Sequence, residues 1–299
     1  MLITARELQD QLAKHKNDVV VVDCRFQLGN KEAGREQYLH GHVPGAFYLD
    51  LEQDLSAPVD LHGGRHPLPD EQTLVEKLGG IGIGAEQAVV VYDGGEGMVT
   101  RAWWLIRYLG HSRVHVLDGG LQAWQAAGYA VDNEISVATP REFPYQPHRE
   151  WVVSTDEVEG IVARHLRVVA AAATAGALNP TVASPREGQL LVDARAPERY
   201  RGDIEPLDPK AGHIPGAKNA HWMDGLSLDG RWLDRETLRQ RFAFASSAEQ
   251  IIAYCGSGVT ACANIFALQL AGYPHVKLYA GSWSDWCSYD EHPVATGDE

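Results

Sequence analysis

A cysteine at position 255 lies in the stretch IIAYCGSGVTACAN, residues 251–264. Mostly apolar residues lead up to it, Gly256 and Gly258 bracket Ser257 directly after it, and a helical run follows. Glycine adopts backbone angles and permits close approaches that other residues resist. A tight glycine loop that opens a helix turns successive N–H groups inward, and such nests and helix N-termini attract anions. A thiol at the centre of that cradle is favoured as the thiolate, its nucleophilic form. Ser257 and Thr260 add hydroxyls that can donate to a sulfur anion or a substrate. Gly256, Gly258, Val259 and Thr260 are therefore candidate substrate contacts beside Cys255 as candidate nucleophile. The commonest fate of a free cysteine is inert burial. A strand end, two glycines and a helix start argue against that fate here.

The loop narrows the chemistry. A cysteine phosphatase needs an arginine six residues after the cysteine to grip phosphate, and that position is Ala261. A cysteine protease needs a histidine partner; His213, His221 and His275 exist, but no protease signature accompanies them. With no cationic clamp in the loop, a small sulfur-bearing substrate held by backbone dipoles fits better than a phosphate.

The elements that must position this loop occur twice. VVVVDCRF (19–26) resembles QLLVDARA (189–196), and HGHVPGAFYLD (40–50) resembles AGHIPGAKNAH (211–221). Residues 88–124 align with 250–286 at a constant offset of 162, across 37 positions without a gap. Asp93 falls where the second copy has Cys255, Gly110 matches Gly272, and Trp124 matches Trp286. Each copy has the size of an ordinary domain. We expect an N-terminal domain over 1–138, a proline- and charge-rich linker over 139–153, and a C-terminal catalytic domain over 154–299. The second copy carries an Ala-rich insertion at about 167–189, read as extending a helix begun near Ser154 and stopped at Asn179-Pro180. Short apolar runs (VVVVD, VVVY, LLVD, IIAY) read as buried parallel strands, and helical periods alternate with them. The fold class is α/β, with a parallel sheet flanked by helices in each copy. In such sheets sites lie beyond the carboxyl ends of strands, where both Asp93 and Cys255 stand. Asp93 is expected to accept amide hydrogen bonds from Gly94 to Gly97, one anion in a nest suited to another.

Composition sets further bounds. The chain has 299 residues, 44% of them apolar, and a formal charge of −14. An acidic surface repels phosphate backbones and anionic lipid, so neither nucleic acid nor a membrane is an expected partner. The N-terminal run is charged and amphipathic, without the apolar segment of a signal peptide. Cys24, Cys255, Cys262 and Cys287 form neither a CxxC pair nor a metal pattern, so no metal is expected and a reducing cytoplasm is the expected setting.

CGSGVTA at 255–261 resembles the active-site loop of the rhodanese superfamily, more narrowly that of the 3-mercaptopyruvate sulfurtransferases. GHVPGA and GHIPGA (41–46, 212–217), LDGGLQAW (117–124), AGSWSDW (280–286) and the tandem arrangement are further marks. The resemblance implies two tandem rhodanese-like domains, the first catalytically silent, as Asp93 in the cysteine position fits. It implies a ping-pong reaction: Cys255 takes the outer sulfur of a donor as a persulfide and passes it to a thiol such as thioredoxin or a low-molecular-weight thiol, or to cyanide. That cycle needs no cofactor. Arg199 in APERYRG matches a family arginine that binds the donor's anionic group, a task suited to a guanidinium. His66 and Glu52 match a family histidine and acid near the loop serine, here Ser257, an arrangement able to relay a proton. Arg65 is an added candidate for substrate contact.

Two departures bear on the donor. Mercaptopyruvate enzymes often carry a second arginine shortly before GHIPG; here Lys210 is the nearest cation. Thiosulfate enzymes usually carry two basic residues after the cysteine; here Gly256 and Ser257 are neutral. Mercaptopyruvate is the expected donor and thiosulfate the alternative. A reading from another class is a non-catalytic persulfide-sensing module that docks a partner.

Overall fold

A computed structural model describes residues 1–95, 97–174 and 188–298. They form two compact units. Unit 1 comprises Met1–Pro58, Leu68–Arg149 and Leu226–Trp232; unit 2 comprises the described residues of Val59–Pro67, Glu150–Gly225 and Leu233–Glu299. The main boundary falls between Arg149 and Glu150, inside the segment expected to connect the copies. Two short segments depart from a division into halves. Val59–Pro67, from the first copy, belongs to unit 2, and Leu226–Trp232, from the second, belongs to unit 1.

Among the described residues unit 1 contains strands β1 (Leu2–Ile3), β2 (Val19–Asp23), β3 (Phe47–Tyr48), β4 (Ala88–Tyr92) and β5 (Val114–Leu117). Its helices are α1 (Ala5–His15), α2 (Ala33–His40), α3 (Glu71–Gly80), α4 (Val99–Tyr108) and α5 (Gly120–Ala126). All strand pairs are parallel, in the order β1-β5-β4-β2-β3. Unit 2 contains β6 (Gln189–Asp193), β7 (Lys218–Asn219), β8 (Gln250–Tyr254) and β9 (Val276–Leu278), again all parallel, in the order β7-β6-β8-β9. Its helices are α6 (Thr155–Thr174), α7 (Pro197–Arg201), α8 (Arg235–Arg241), α9 (Ala261–Ala271) and α10 (Ser282–Trp286). An isolated parallel bridge from Val152 to Leu278 stands where β1 stands in unit 1.

The sequence explains these elements locally. The central strands VVVVD, AVVVY, QLLVD and QIIAY are apolar without alternation because helices cover both faces of a parallel sheet. Reciprocal capping boxes start the first helix of each unit: Thr4 with Glu7 before α1, and Ser154 with Glu157 at α6. Asp70 and Asp234 cap α3 and α8 through the amides of Thr73 and Thr237. α9 is buried nearly all round, which accounts for its lack of a polar face. α6 extends into the Ala-rich stretch as expected; the Asn179-Pro180 stop lies outside the described residues.

The duplication persists in side-chain detail. Arg25 binds Asp23 and the Gly41 carbonyl, as Arg195 binds Asp193 and the Gly212 carbonyl. His42 and His213 each place Nδ1 2.7 Å from a tyrosine carbonyl, of Tyr38 and Tyr200, and stack on that tyrosine's ring. The D-x-R pairs and turn histidines therefore brace the loops after the first central strand of each unit.

Candidate active site

In unit 2 the chain leaves β6 toward β7 on one side and reaches β8 on the other. Loops from neighbouring strands thus diverge at their carboxyl ends and leave a crevice there. Cys255 follows β8 directly; Arg199 lies on α7 in the connection after β6.

The cysteine loop is held from beneath by α10. The amide of Cys255 donates to Oγ of Ser282 at 3.1 Å, while the amides of Trp283 and Ser284 donate to the carbonyls of Cys255 and Gly256 at 3.0 and 2.9 Å. Ser282 reaches this position with φ of +58°, the one non-glycine residue at positive φ among those described. Such a conformation persists where surrounding contacts over-determine it, here its bonds to Cys255 and to the Tyr279 carbonyl. Gly258 turns the loop at φ +80°, and a β-carbon there would stand 2.3 Å from the Ala280 carbonyl oxygen. No other residue fits. The turn aims the Gly258 amide at Sγ of Cys255, 3.2 Å away. Val259 is buried and Thr260 stands at the residue before α9, without a side-chain cap bond. Cys255 is 1% exposed, at the floor of the loop.

Val59–Pro67 brings two expected residues to this loop. Nδ1 of His66 lies 2.7 Å from Oγ of Ser257, with both side chains buried. Arg65 and Arg199 flank Gly256: a β-carbon on that glycine would stand 3.0 Å from Nη2 of Arg65 and 3.5 Å from Nη1 of Arg199. A side chain at position 256 would have to push aside the ends of these two arginines. Glu52 belongs to unit 1, where its carboxylate lies 2.5 Å from Nζ of Lys31. Lys210, the cation nearest the missing second arginine, donates to the Tyr289 carbonyl at 2.8 Å.

Several residues that complete the site escaped sequence reasoning. Asp208 bridges Arg65 and Arg199, and Glu205 binds Arg199 at 2.7 Å and Arg195 at 3.4 Å. Ser284 accepts the Arg65 amide at 3.1 Å. Asp285, 2% exposed, accepts from the Gly63 amide, the Thr155 hydroxyl and the Tyr279 hydroxyl. Their signals were faint: an aspartate between two tryptophans in GSWSDW, and acids in DIEPLDPK that drew attention only for lacking an arginine.

The remaining thiols sit elsewhere. Burial, then the charges of Asp23 and Asp93, pushes the Cys24 thiol well up. Burial and the charge of Asp208 push Cys287 up to about 11. Cys262 is fully buried on α9, its Sγ 3.5 Å from the Gly258 carbonyl oxygen. Among the described residues no group of His, Cys, Asp or Glu is placed to hold a metal ion, and no helix is long and apolar enough to cross a membrane.

In unit 1 the equivalent loop holds its own anion. Asp93 accepts from the Gly95 amide at 2.8 Å and the Val99 amide at 3.0 Å. The nest expected over Gly94 to Gly97 therefore extends to the first residue of α4.

Comparison with known proteins agrees with this architecture. The rhodanese-like domain model matches residues 4–127 and 181–289. A probable 3-mercaptopyruvate sulfurtransferase of Pseudomonas aeruginosa is 45% identical, over 99% of this chain and 98% of its own. A putative thiosulfate sulfurtransferase, SseB, of Mycobacterium tuberculosis is 36% identical, over 99% of this chain and 97% of its own. The crystal structure of SseA from Escherichia coli, described as showing the rhodanese fold of 3-mercaptopyruvate sulfotransferases, superposes with a TM-score of 0.75 at 28% identity, covering 95% of this chain and 98% of that one. With matching domains in both halves and relatives along its whole length, the chain belongs to the rhodanese family as a tandem pair of rhodanese-like domains.

Proposed function

We propose that the chain is a sulfurtransferase that takes sulfur from 3-mercaptopyruvate onto Cys255 and passes it to a thiol. The observation that carries this reading is the cysteine loop, with an amide on Sγ, the Ser257–His66 pair beside it, and two guanidiniums over Gly256. The donor carboxylate binds Arg199 through charge-assisted hydrogen bonds, which brings its sulfur to Sγ. The Cys255 thiolate attacks that sulfur; the S–S bond forms as the C–S bond breaks, and the electron pair passes to carbon as the enolate of pyruvate. The donor thiol's proton moves through Ser257 and His66 to that carbon. Cys255 is left as a persulfide, accepting from the loop amides of Gly258 and its neighbours Val259 and Thr260. An acceptor thiolate then attacks the outer sulfur, and Cys255 leaves as the thiolate. Thioredoxin or a small thiol is the acceptor class.

The names of the P. aeruginosa and E. coli relatives support mercaptopyruvate, and the neutral Gly256 and Ser257 after the cysteine do so independently. The name of the M. tuberculosis relative keeps thiosulfate as the second donor. A cytoplasmic setting is part of the proposal, supported by four cysteines that are all free. Measuring kcat/KM for both donors on one preparation tests the donor: a preference for mercaptopyruvate is expected, and a strong preference for thiosulfate overturns it.

A further inference from the structure

Asp208 touches both guanidiniums that flank Gly256. Its Oδ1 accepts from Nη1 of Arg65, and its Oδ2 lies 3.2 Å from Nη2 of Arg199. The Asp208 side chain is 2% exposed, against 29% for Arg65 and 17% for Arg199, so the carboxylate lies beneath the two cations. Glu205 binds Nε and Nη2 of the same Arg199 guanidinium, and Asp193 neutralises Arg195 behind it. Three guanidiniums thus meet three carboxylates, and the cluster's formal charge is zero. A dianion gains more than a monoanion from each uncompensated positive charge, so compensation disfavours the dianion more.

We propose that Asp208 is a positioning residue that sets donor specificity. It holds Arg65 and Arg199 on either side of Gly256 and removes one net positive charge from the pocket. The pocket then takes a donor with a single carboxylate in preference to a dianion such as thiosulfate. Arg65 supplies the second guanidinium in place of Lys210, whose ammonium is engaged at Tyr289. The proposal rests on the sulfur-transfer reading and deepens it, locating donor choice in a residue that acts through its two arginines.

The test uses full-length Asp208→Asn, Asp208→Glu and Arg65→Gln proteins with two readouts. One is the thiosulfate-to-mercaptopyruvate ratio of kcat/KM. The other needs no turnover: the concentrations of inorganic sulfate and of pyruvate that half-protect Cys255 from iodoacetamide. In Asp208→Asn the sulfate requirement is expected to fall roughly tenfold relative to pyruvate, and the donor ratio to rise toward thiosulfate by a similar factor. Asp208→Glu, which keeps the charge, is expected to keep both wild-type ratios. A folded Asp208→Asn protein with unchanged ratios overturns the proposal, as does an equal shift in Asp208→Glu. Should Asp208→Asn fail to fold, Arg65→Gln decides: loss of a cation must move the protection ratio toward pyruvate, and no movement overturns the proposal. If wild-type protein turns over neither donor, the sulfur-transfer reading fails, while the protection ratios still judge the pocket.

Discussion

Nδ1 of His66 stands 2.7 Å from Oγ of Ser257, and the two residues come from opposite copies of the duplicated sequence. The serine sits two positions after Cys255, so the pair can hand a proton to a group at the sulfur. His66→Ala and Ser257→Ala are each expected to slow pyruvate release in a single turnover by roughly 100-fold or more, with little change in KM. Residues acting as one relay do not add, so the double variant should match the worse single variant. Rapid-quench measurement of the first turnover checks this, and additive losses contradict it.

Asp285 fastens the segment that carries Arg65 and His66. Its Oδ1 accepts from the Gly63 amide at 2.7 Å, while its Oδ2 takes the hydroxyls of Thr155 and Tyr279. Asp285→Ala removes the acceptor of the buried Tyr279 hydroxyl and of two part-buried donors, the Gly63 amide and the Thr155 hydroxyl, and is expected to lower unfolding free energy by about 2–3 kcal/mol. Activity should fall with it, through a raised KM as Arg65 loses its anchor. Denaturant titration and steady-state kinetics on the same variant check both effects.

The loop, the strands and the duplication were legible because they are local: an apolar run, two glycines and a constant offset are all visible within a few residues. Cys255 and Ser257 followed from that pattern, and Arg199 and His66 from the resemblance. Asp208 and Asp285 were not legible, because their importance lies in pairings across 143 and 222 residues of chain, and Glu205 was not because its partners Arg195 and Arg199 carry no helical or strand spacing that points to it. Sequence alone treats such an aspartate as one more surface acid in a chain of charge −14. The membership of Val59–Pro67 in unit 2 was hidden for the same reason, since no local signal marks a segment that packs with the other copy.

The two carboxylate oxygens of Asp93 take the amides of Gly95 and Val99, and its side chain is buried. Asp93→Ala is expected to cost about 2 kcal/mol of stability, the scale for hydrogen bonds to a charged acceptor, while sulfur transfer per folded molecule is retained. A shift of the denaturation midpoint with unchanged turnover is the predicted outcome. Loss of turnover in fully folded protein would assign Asp93 a part in the chemistry.

The four thiols should differ sharply in reactivity. Burial holds the Cys24 thiol well above its usual range, and burial with Asp208 holds Cys287 at about 11. At pH 8 a thiol with that value is about 0.1% thiolate, so alkylation there is slow. Brief iodoacetamide treatment of native protein is expected to label Cys255 first, with labelling slowed by donor. Peptide mapping checks this, and equal early labelling at Cys24 or Cys287 contradicts it.

The most direct test follows the sulfur itself. Native protein is mixed with one equivalent of 3-mercaptopyruvate, without acceptor, and the intact mass and the Cys255 peptide are measured. The account predicts a gain of one sulfur atom on Cys255, one pyruvate released per chain, and loss of both in Cys255→Ser. Sulfur found on another cysteine, or pyruvate still formed by Cys255→Ser, would contradict it.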